Sequence, residues 1–205
     1  MKYKTITIII VLIAAATLGV YYLFKSESIT NYPSKGTDIV AFGDSLVAGY
    51  GSTEGNNFVS VLSKKIGEPI INLGHSGDTT EDGLKRINQL DKYNPKVVIL
   101  LLGGNDSLRK VPIEITHKNL STLIENIQAR GAVVLLLGVK GSLFGDRLSS
   151  EFKDLRDTYN TAFVSNVLDG LFGNDKYMSD TIHPNDVGYE IIANRIHPIL
   201  VGLIK

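Results

Sequence analysis

The stretch DIVAFGDSL, residues 38–46, joins a short apolar run to a turn that carries an aspartate and a serine. The apolar part does not alternate with polar residues, which is typical of a strand buried on both faces of a parallel sheet. Three further runs have the same character, at Pro69–Leu73, Val97–Leu102 and Ala132–Leu137. The sequence therefore predicts four well-marked parallel strands, and a weaker pattern places a fifth at Ala162–Val164.

Helical patterns separate the apolar runs along the chain. Apolar residues recur three or four positions apart in them, and residues that cap helices stand at several of their starts. The predicted helices are Phe58–Ile66, one that follows Thr79–Thr80, one that begins at Pro112 and stops at Gly131, one around Glu151–Tyr159, and one from Val187 to about Leu200 that bends at Pro198. This alternation predicts an α/β fold, a three-layer α/β/α sandwich with a parallel sheet of about five strands, over residues 37–205.

The N-terminal part of the chain differs in kind from the rest. Ile6–Phe24 is an uncharged and mostly aliphatic run that, as a helix, spans roughly 28 Å, about the hydrocarbon thickness of a bilayer. Two lysines precede it, which favours a cytoplasmic N-terminus and export of all that follows. Because Ala14–Ala16 suits signal cleavage, secretion stays open beside anchoring. We expect a membrane anchor or signal segment at residues 1–24, a linker at 25–36, and a folded domain outside the membrane.

Composition excludes several classes of protein. The 205 residues carry 21 basic and 21 acidic side chains, and this balance argues against a nucleic-acid binder. Cysteine is absent, which excludes disulfides, thiolate metal sites and a cysteine nucleophile. The four histidines are too scattered to indicate a metal site. We therefore expect no metal, no cofactor and no nucleic-acid partner, and we expect a monomer.

Polar segments follow the predicted strands or precede the last helix, and they hold the residue types that acyl transfer needs. They are Gly43–Leu46, Asn72–Asp78, Gly103–Asp106 and Asp180–Pro184. Ligands of such sheets bind outside the carboxyl ends of the strands. Ser45 stands where a strand turns into a helix, and Asp180 and His183 lie three apart in a turn, where a carboxylate can orient an imidazole. Backbone and amide donors for an oxyanion are available at Gly77 and Asn105.

These four segments, GDSL, the glycine at 77, GGND and DxxHP, resemble the blocks of the SGNH (GDSL-type) hydrolases, closest to the bacterial arylesterase, thioesterase I and lysophospholipase L1 group. The resemblance implies a flavodoxin-like sandwich and a cofactor-free serine ester hydrolase that acts on acyl esters or lysolipids. It implies Ser45 as nucleophile, His183 as base and Asp180 as its orienting partner. The oxyanion hole would consist of the Ser45 and Gly77 N–H groups and the Asn105 side chain.

Two other functions remain open from the sequence. The same acyl-enzyme could pass its acyl group to a glycan or lipid hydroxyl, as in an acyltransferase, or the fold could serve as a non-catalytic binding module. Substrate choice is expected to depend on the loops Leu108–Val111 and Lys140–Leu148. Their sequences indicate neither the length of the acyl chain nor a preference for esters over thioesters.

Overall fold

A computed structural model describes residues 28–140 and 145–205 of the chain. The predicted membrane segment, residues 1–24, lies outside the described residues, and so does most of the apolar part of the loop after the fourth strand. Residues 28–36, which the sequence assigns to the linker, are described and contact the domain. The boundaries of the anchor and linker stay predictions.

Five parallel strands form one sheet in the order β2-β1-β3-β4-β5. All five predicted strands are present, the fifth included, with ends that shift by at most two residues. The prediction of burial on both faces is wrong for β2, whose residues are half-buried or exposed because it forms an edge of the sheet. The strands are β1 Asp38–Gly43, β2 Ile70–Gly74, β3 Pro95–Leu101, β4 Val133–Leu137 and β5 Ala162–Val164.

Seven α-helices and one 3-10 helix, Ile87–Lys92, connect the strands in the described part of the chain. The helix predicted around Glu151–Tyr159 begins earlier. The last helix, predicted to end at about Leu200, continues to Ile204 because Leu200 and Leu203 are buried and keep its final turns packed. The helices are α1 Ser45–Ala48, α2 Phe58–Ile66, α3 Thr80–Lys85, α4 Gly104–Leu108, α5 Ile113–Ala129, α6 Gly145–Tyr159 and α7 Asp186–Ile204.

The helices form two packed groups. Helices α2 and α7 contact each other, whereas α5 contacts both α3 and α6. Because crossovers between parallel strands are right-handed and the strand order reverses after β1, the two groups cover opposite faces of the sheet. The result is a three-layer α/β/α arrangement whose core lies mainly in β1, β3 and β4, which are almost completely buried.

By length and composition, helix α7 could cross a membrane. Within the described ranges 28–140 and 145–205, no other helix meets this criterion. Its apolar side nevertheless packs inside the domain, since Tyr189, Ile192, Ile196 and Leu200 are buried. We interpret α7 as a core helix of the sandwich.

The reversal of strand order sets the position of the site. From β1 the chain goes to β2 on one side, and β3 then pairs with β1 on the other side. Gly43 at the end of β1 is in register with Gly74 and with Leu101. The segments that carry Ser45, Gly77 and Asn105 therefore all begin at the carboxyl ends of neighbouring strands, where ligands of such folds bind.

Candidate active site

Ser45 is the first residue of α1, two residues beyond the end of β1. Asp44 caps this short helix, because its Oδ1 accepts a hydrogen bond from the Leu46 N–H at 3.0 Å. The close turn leaves no room at Gly43, where a Cβ atom would collide with the Leu101 carbonyl and the Val47 side chain. As the first helical residue, Ser45 has an N–H without an acceptor inside the helix, and this group points out of the helix start where negative charge is favoured.

A hydrogen-bonded chain links Ser45 to His183 and Asp180. The Ser45 Oγ lies 3.0 Å from His183 Nε2, across 138 residues of sequence. His183 Nδ1 lies 2.8 Å from Asp180 Oδ2. A carboxylate at Nδ1 favours the tautomer with the proton on that nitrogen, so that Nε2 can accept the serine proton. The structure thus brings the three predicted residues into one hydrogen-bonded series, in the order Ser45, His183 and Asp180.

Asp180 is held as an ionised carboxylate. Burial opposes its ionisation, but hydrogen bonds from the His183 side chain and from the His183 and Ile182 N–H groups outweigh it and lower the Asp180 pKa below its ordinary value. Both N–H groups donate to Asp180 Oδ1 at 2.7 Å. One oxygen therefore fixes the turn while the other orients the imidazole.

The loop that carries His183 is supported from two sides. Ser179 donates to the His183 carbonyl through its N–H at 2.9 Å and through its hydroxyl at 3.0 Å. On the other side the Tyr50 ring lies against the imidazole, with centroids 4.5 Å apart and planes tilted by 55°. The buried Tyr189 hydroxyl donates to the Tyr50 carbonyl at 2.8 Å and so fixes the backbone of that residue. The imidazole is thereby restricted in its orientation.

Gly77 lies in the loop after β2, and Asn105 lies in α4, which contacts that loop. Gly77 has φ +85°, a left-handed conformation that favours glycine. The Asn105 Nδ2 donates at 2.9 Å to the carbonyl of Asp78, the residue that follows Gly77. An amide nitrogen carries two hydrogens, so a second donor remains on Asn105 for a ligand. The structure therefore brings Asn105 to the loop of Gly77, beside β1, which ends two residues before Ser45.

Two buried aspartates, Asp44 and Asp106, lie beneath these segments and support them. Asp106 accepts from the Thr80 N–H at 2.8 Å and from the Thr80 hydroxyl at 2.5 Å, and so ties α4 to the start of α3. For Asp44, burial is the main cause that raises the pKa to about 7, and the nearby charges of Asp78 and Asp106 add to it. The carboxyl group of Asp44, beneath the site, therefore ionises at a higher pH than an ordinary aspartate.

Three residues near the site were missed from the sequence: Tyr50, Arg86 and Asp186. Asp186 accepts from the Thr53 N–H at 2.7 Å and from the Thr53 hydroxyl at 2.6 Å, across 133 residues. None of the three belongs to a motif with its own chemistry, so no sequence signal could have identified it.

The remaining histidines make no metal site. In the described segments, 28–140 and 145–205, no group of three or more His, Cys, Asp or Glu side chains could hold a metal ion. His117 instead pairs with a carboxylate, since its Nδ1 lies 2.6 Å from Glu151 Oε2 between α5 and α6.

A serine, histidine and aspartate in hydrogen-bonded series at the carboxyl edge of a parallel sheet define a serine hydrolase. Residues 41–191 match the GDSL-like lipase/acylhydrolase family, and the chain belongs to this family. The resemblance to SGNH hydrolases is therefore confirmed.

Relatives of known name agree with this assignment. The chain is 30% identical to the arylesterase of Vibrio mimicus, over 80% of this chain and 88% of that protein. It is 27% identical to thioesterase 1/protease 1/lysophospholipase L1 of Escherichia coli K12, over 82% of this chain and 85% of that protein. The crystal structure of TesA superposes with a TM-score of 0.77 at 29% identity, covering 82% of this chain and 99% of TesA. The chain is thus an esterase-family enzyme along nearly the whole length of its relatives.

Proposed function

We propose that this protein hydrolyses carboxylic esters through an acyl-enzyme formed on Ser45. The observation that carries the proposal is the hydrogen-bonded series from Ser45 Oγ through His183 to Asp180. A serine hydroxyl is a weak nucleophile unless a base removes its proton, and Nε2 lies at the distance this transfer needs.

In the first half of the reaction, Ser45 Oγ attacks the ester carbonyl carbon as its proton passes to His183 Nε2. The carbonyl oxygen becomes an oxyanion, which the Ser45 and Gly77 N–H groups and the Asn105 amide are proposed to bind. His183 then gives its proton to the alcohol oxygen, the carbon–oxygen bond breaks, and the alcohol leaves. The acyl group remains bound to Ser45.

In the second half, water takes the place of the alcohol. His183 accepts a proton from the water as its oxygen attacks the acyl carbon, and the proton then returns to Ser45 Oγ as the acid is released. The Asp180 carboxylate stabilises the imidazolium in both halves.

For the substrate class we propose an ester outside the cytoplasm, either a small ester or a lysophospholipid. The names of the relatives, arylesterase and lysophospholipase L1, support esters of these two kinds. The predicted anchor or signal at residues 1–24 supports a domain on the outer side of the membrane, where coenzyme A thioesters are out of range. Protease added to intact spheroplasts should remove the domain, whereas protection until lysis would reverse the orientation and favour a cytosolic thioester.

The triad is tested by Ser45→Ala against Ser63→Ala. Ser63 lies on α2, where its hydroxyl only donates to the Glu68 carbonyl, so its loss should leave turnover unchanged. With p-nitrophenyl acetate, we expect Ser45→Ala to lose up to about 10⁶-fold in kcat, as other triads do, and to escape labelling by a fluorophosphonate. Turnover by purified Ser45→Ala near that of the unmodified protein would overturn the proposal.

The substrate class is tested with matched esters. A chain-length series of p-nitrophenyl esters and lysophosphatidylcholines, with and without added glycan acceptors, separates small-ester from lysolipid hydrolysis. Products in which the acyl group sits on the glycan instead of on water would assign an acyltransferase.

A further inference from the structure

Arg86, which directly follows α3, makes contacts that extend to three separate parts of the site. Its Nε lies 2.5 Å from Asp78 Oδ2, its Nη1 donates to the Leu73 carbonyl at 2.9 Å, and its Nη2 donates to the Gly43 carbonyl at 2.8 Å. The guanidinium also lies over the Phe42 ring at 4.1 Å, and only 12% of the side chain is exposed. All three nitrogens are therefore engaged, each with a different segment.

The segments that Arg86 connects lead into two of the candidate oxyanion donors and contact the third. Gly43 ends β1 two residues before Ser45, and Leu73 lies in β2, whose end leads into the loop with Gly77. Asp78 follows Gly77, and its carbonyl accepts from the Asn105 amide. One guanidinium thus links the backbone before Ser45 to the loop that holds Gly77, and Asn105 donates to that same loop.

A guanidinium suits this position better than an ammonium group would. Its planar fork can donate in several fixed directions at once, whereas lysine offers one charged point on a flexible stem. The carbonyls of Leu73 and Gly43 would lose a strong donor without it, and Asp78 would lose its ion-pair partner in a partly buried place.

We propose that Arg86 is a positioning residue for the oxyanion hole, which aligns the Gly77–Asp78 loop and Asn105 with Ser45. This inference rests on the proposed function, since it acts through the groups assigned there. Small displacements of transition-state donors cost large factors in rate. The loss of Arg86 should therefore lower kcat with little change in KM.

The test compares Arg86→Gln with Arg130→Gln, a matched arginine outside the site. Arg130 also pairs with an aspartate, Asp91, at 2.8 Å, and donates to a backbone carbonyl, that of Asn126, at 2.7 Å. We expect Arg86→Gln to lose about 10- to 100-fold in kcat on an oxoester. Arg130→Gln should retain the kcat of the unmodified protein.

A purely structural role is distinguished by a thionoester of the same acyl group. Sulfur is a poor hydrogen-bond acceptor, so an oxyanion hole favours the oxoester over its thiono analogue. If Arg86 positions the hole, the preference for the oxoester shrinks in Arg86→Gln. An unchanged preference would overturn the proposal, whatever happens to the thermal midpoint.

Arg86→Lys provides a second variant that keeps the charge next to Asp78 and loses the fork. We expect it to fold even if Arg86→Gln does not. Where both variants fold, we expect the oxoester preference of Arg86→Lys to lie between those of Arg86→Gln and the unmodified protein. A preference equal to that of the unmodified protein would overturn the role of the fork. If Ser45→Ala retained activity, the proposed function would fail. If Ser45→Ala lost activity but both Arg86 variants kept the oxoester preference of the unmodified protein, only the inference about Arg86 would fail.

Discussion

The two ends of the sheet use hydrogen bonds in opposite ways. At the carboxyl end, the segments after β1, β2, β3 and β5 form the candidate site, and the N–H of Ser45 has no acceptor inside the helix that this residue opens. At the amino end, residues 30–34 donate to carbonyls of the domain. Asn31 Nδ2 donates to Gln128 and Ala132, and Ser34 Oγ donates to Gly131.

This difference follows from the polarity of a parallel α/β fold. Each helix that returns across the sheet ends near the start of the next strand, so helix C-termini with unpaired carbonyls collect at the amino end. Side chains of the N-terminal segment occupy those carbonyls, as Thr30 Oγ1 does at Tyr159, the last residue of α6. At the amino end, donors of the protein itself occupy the free carbonyls. At the carboxyl end, the N–H of Ser45 remains for a ligand.

The same comparison bears on the proposed anchor. Because residues 30–34 are hydrogen-bonded at the amino end, a membrane segment before residue 25 would attach the domain on the side away from the site. Less of the predicted linker is then free than its length of twelve residues suggests. We infer that an anchored domain would act on esters or lysolipid monomers that leave the bilayer.

After Ser45→Ala, the largest effect at the carboxyl end alone is expected from Asp180→Asn. Two backbone N–H groups hold Oδ1, so the amide NH₂ would face His183 Nδ1 and favour the wrong tautomer, with the proton on Nε2. We expect kcat to fall by about 10⁴-fold while the fold stays intact. Steady-state kinetics and circular dichroism measure the two effects.

A control for that substitution is Asp157→Asn, an exposed position on α6 close to the amino end, which should leave kcat unchanged. If Asp180→Asn kept a kcat within tenfold of the unmodified protein, Asp180 would not be the partner that orients His183.

The comparison also explains what the sequence could predict. Apolar runs identify strands because burial requires them, and Ser45, Asp180 and His183 are recognisable because their chemistry demands those residue types. Arg86 is not, because its role arises from carbonyls of β1 and β2 that meet only in the folded sheet. The half-exposure of β2 was missed for a similar reason, since edge position depends on strand order.

A smaller effect is expected from Asp44→Asn, which tests how far the buried charge of Asp44 at the carboxyl end lowers the stability of the folded protein. Burial raises the Asp44 pKa from 3.8 to about 7. Between these values the folded protein keeps a proton that the unfolded chain releases, so this residue lowers stability as pH rises from about 4 to 7. Asparagine keeps the acceptor for the Leu46 N–H without this charge.

We therefore expect Asp44→Asn to gain stability over the unmodified protein at pH 8, on the order of 4 kcal/mol at most, and to lose most of that gain near pH 4. Urea unfolding of both proteins across this range measures the difference. A difference independent of pH would show that Asp44 ionises freely in the folded state.

The smallest effect concerns the amino end, where Asn31→Ala removes two hydrogen bonds, to Gln128 and Ala132, at 2.8 and 3.0 Å. Asn31 also has φ +65°, a conformation that alanine tolerates less well. We expect a loss of about 1–3 kcal/mol in the free energy of unfolding and no change in kcat, because no catalytic group contacts this residue. Asn31→Gly removes the same bonds without the backbone strain, so it should cost less. Urea unfolding and ester turnover on both variants measure the two ends independently. A fall in kcat in either variant would mean that the hydrogen bonds at the amino end help to shape the site, and the two ends of the sheet would then not be separable.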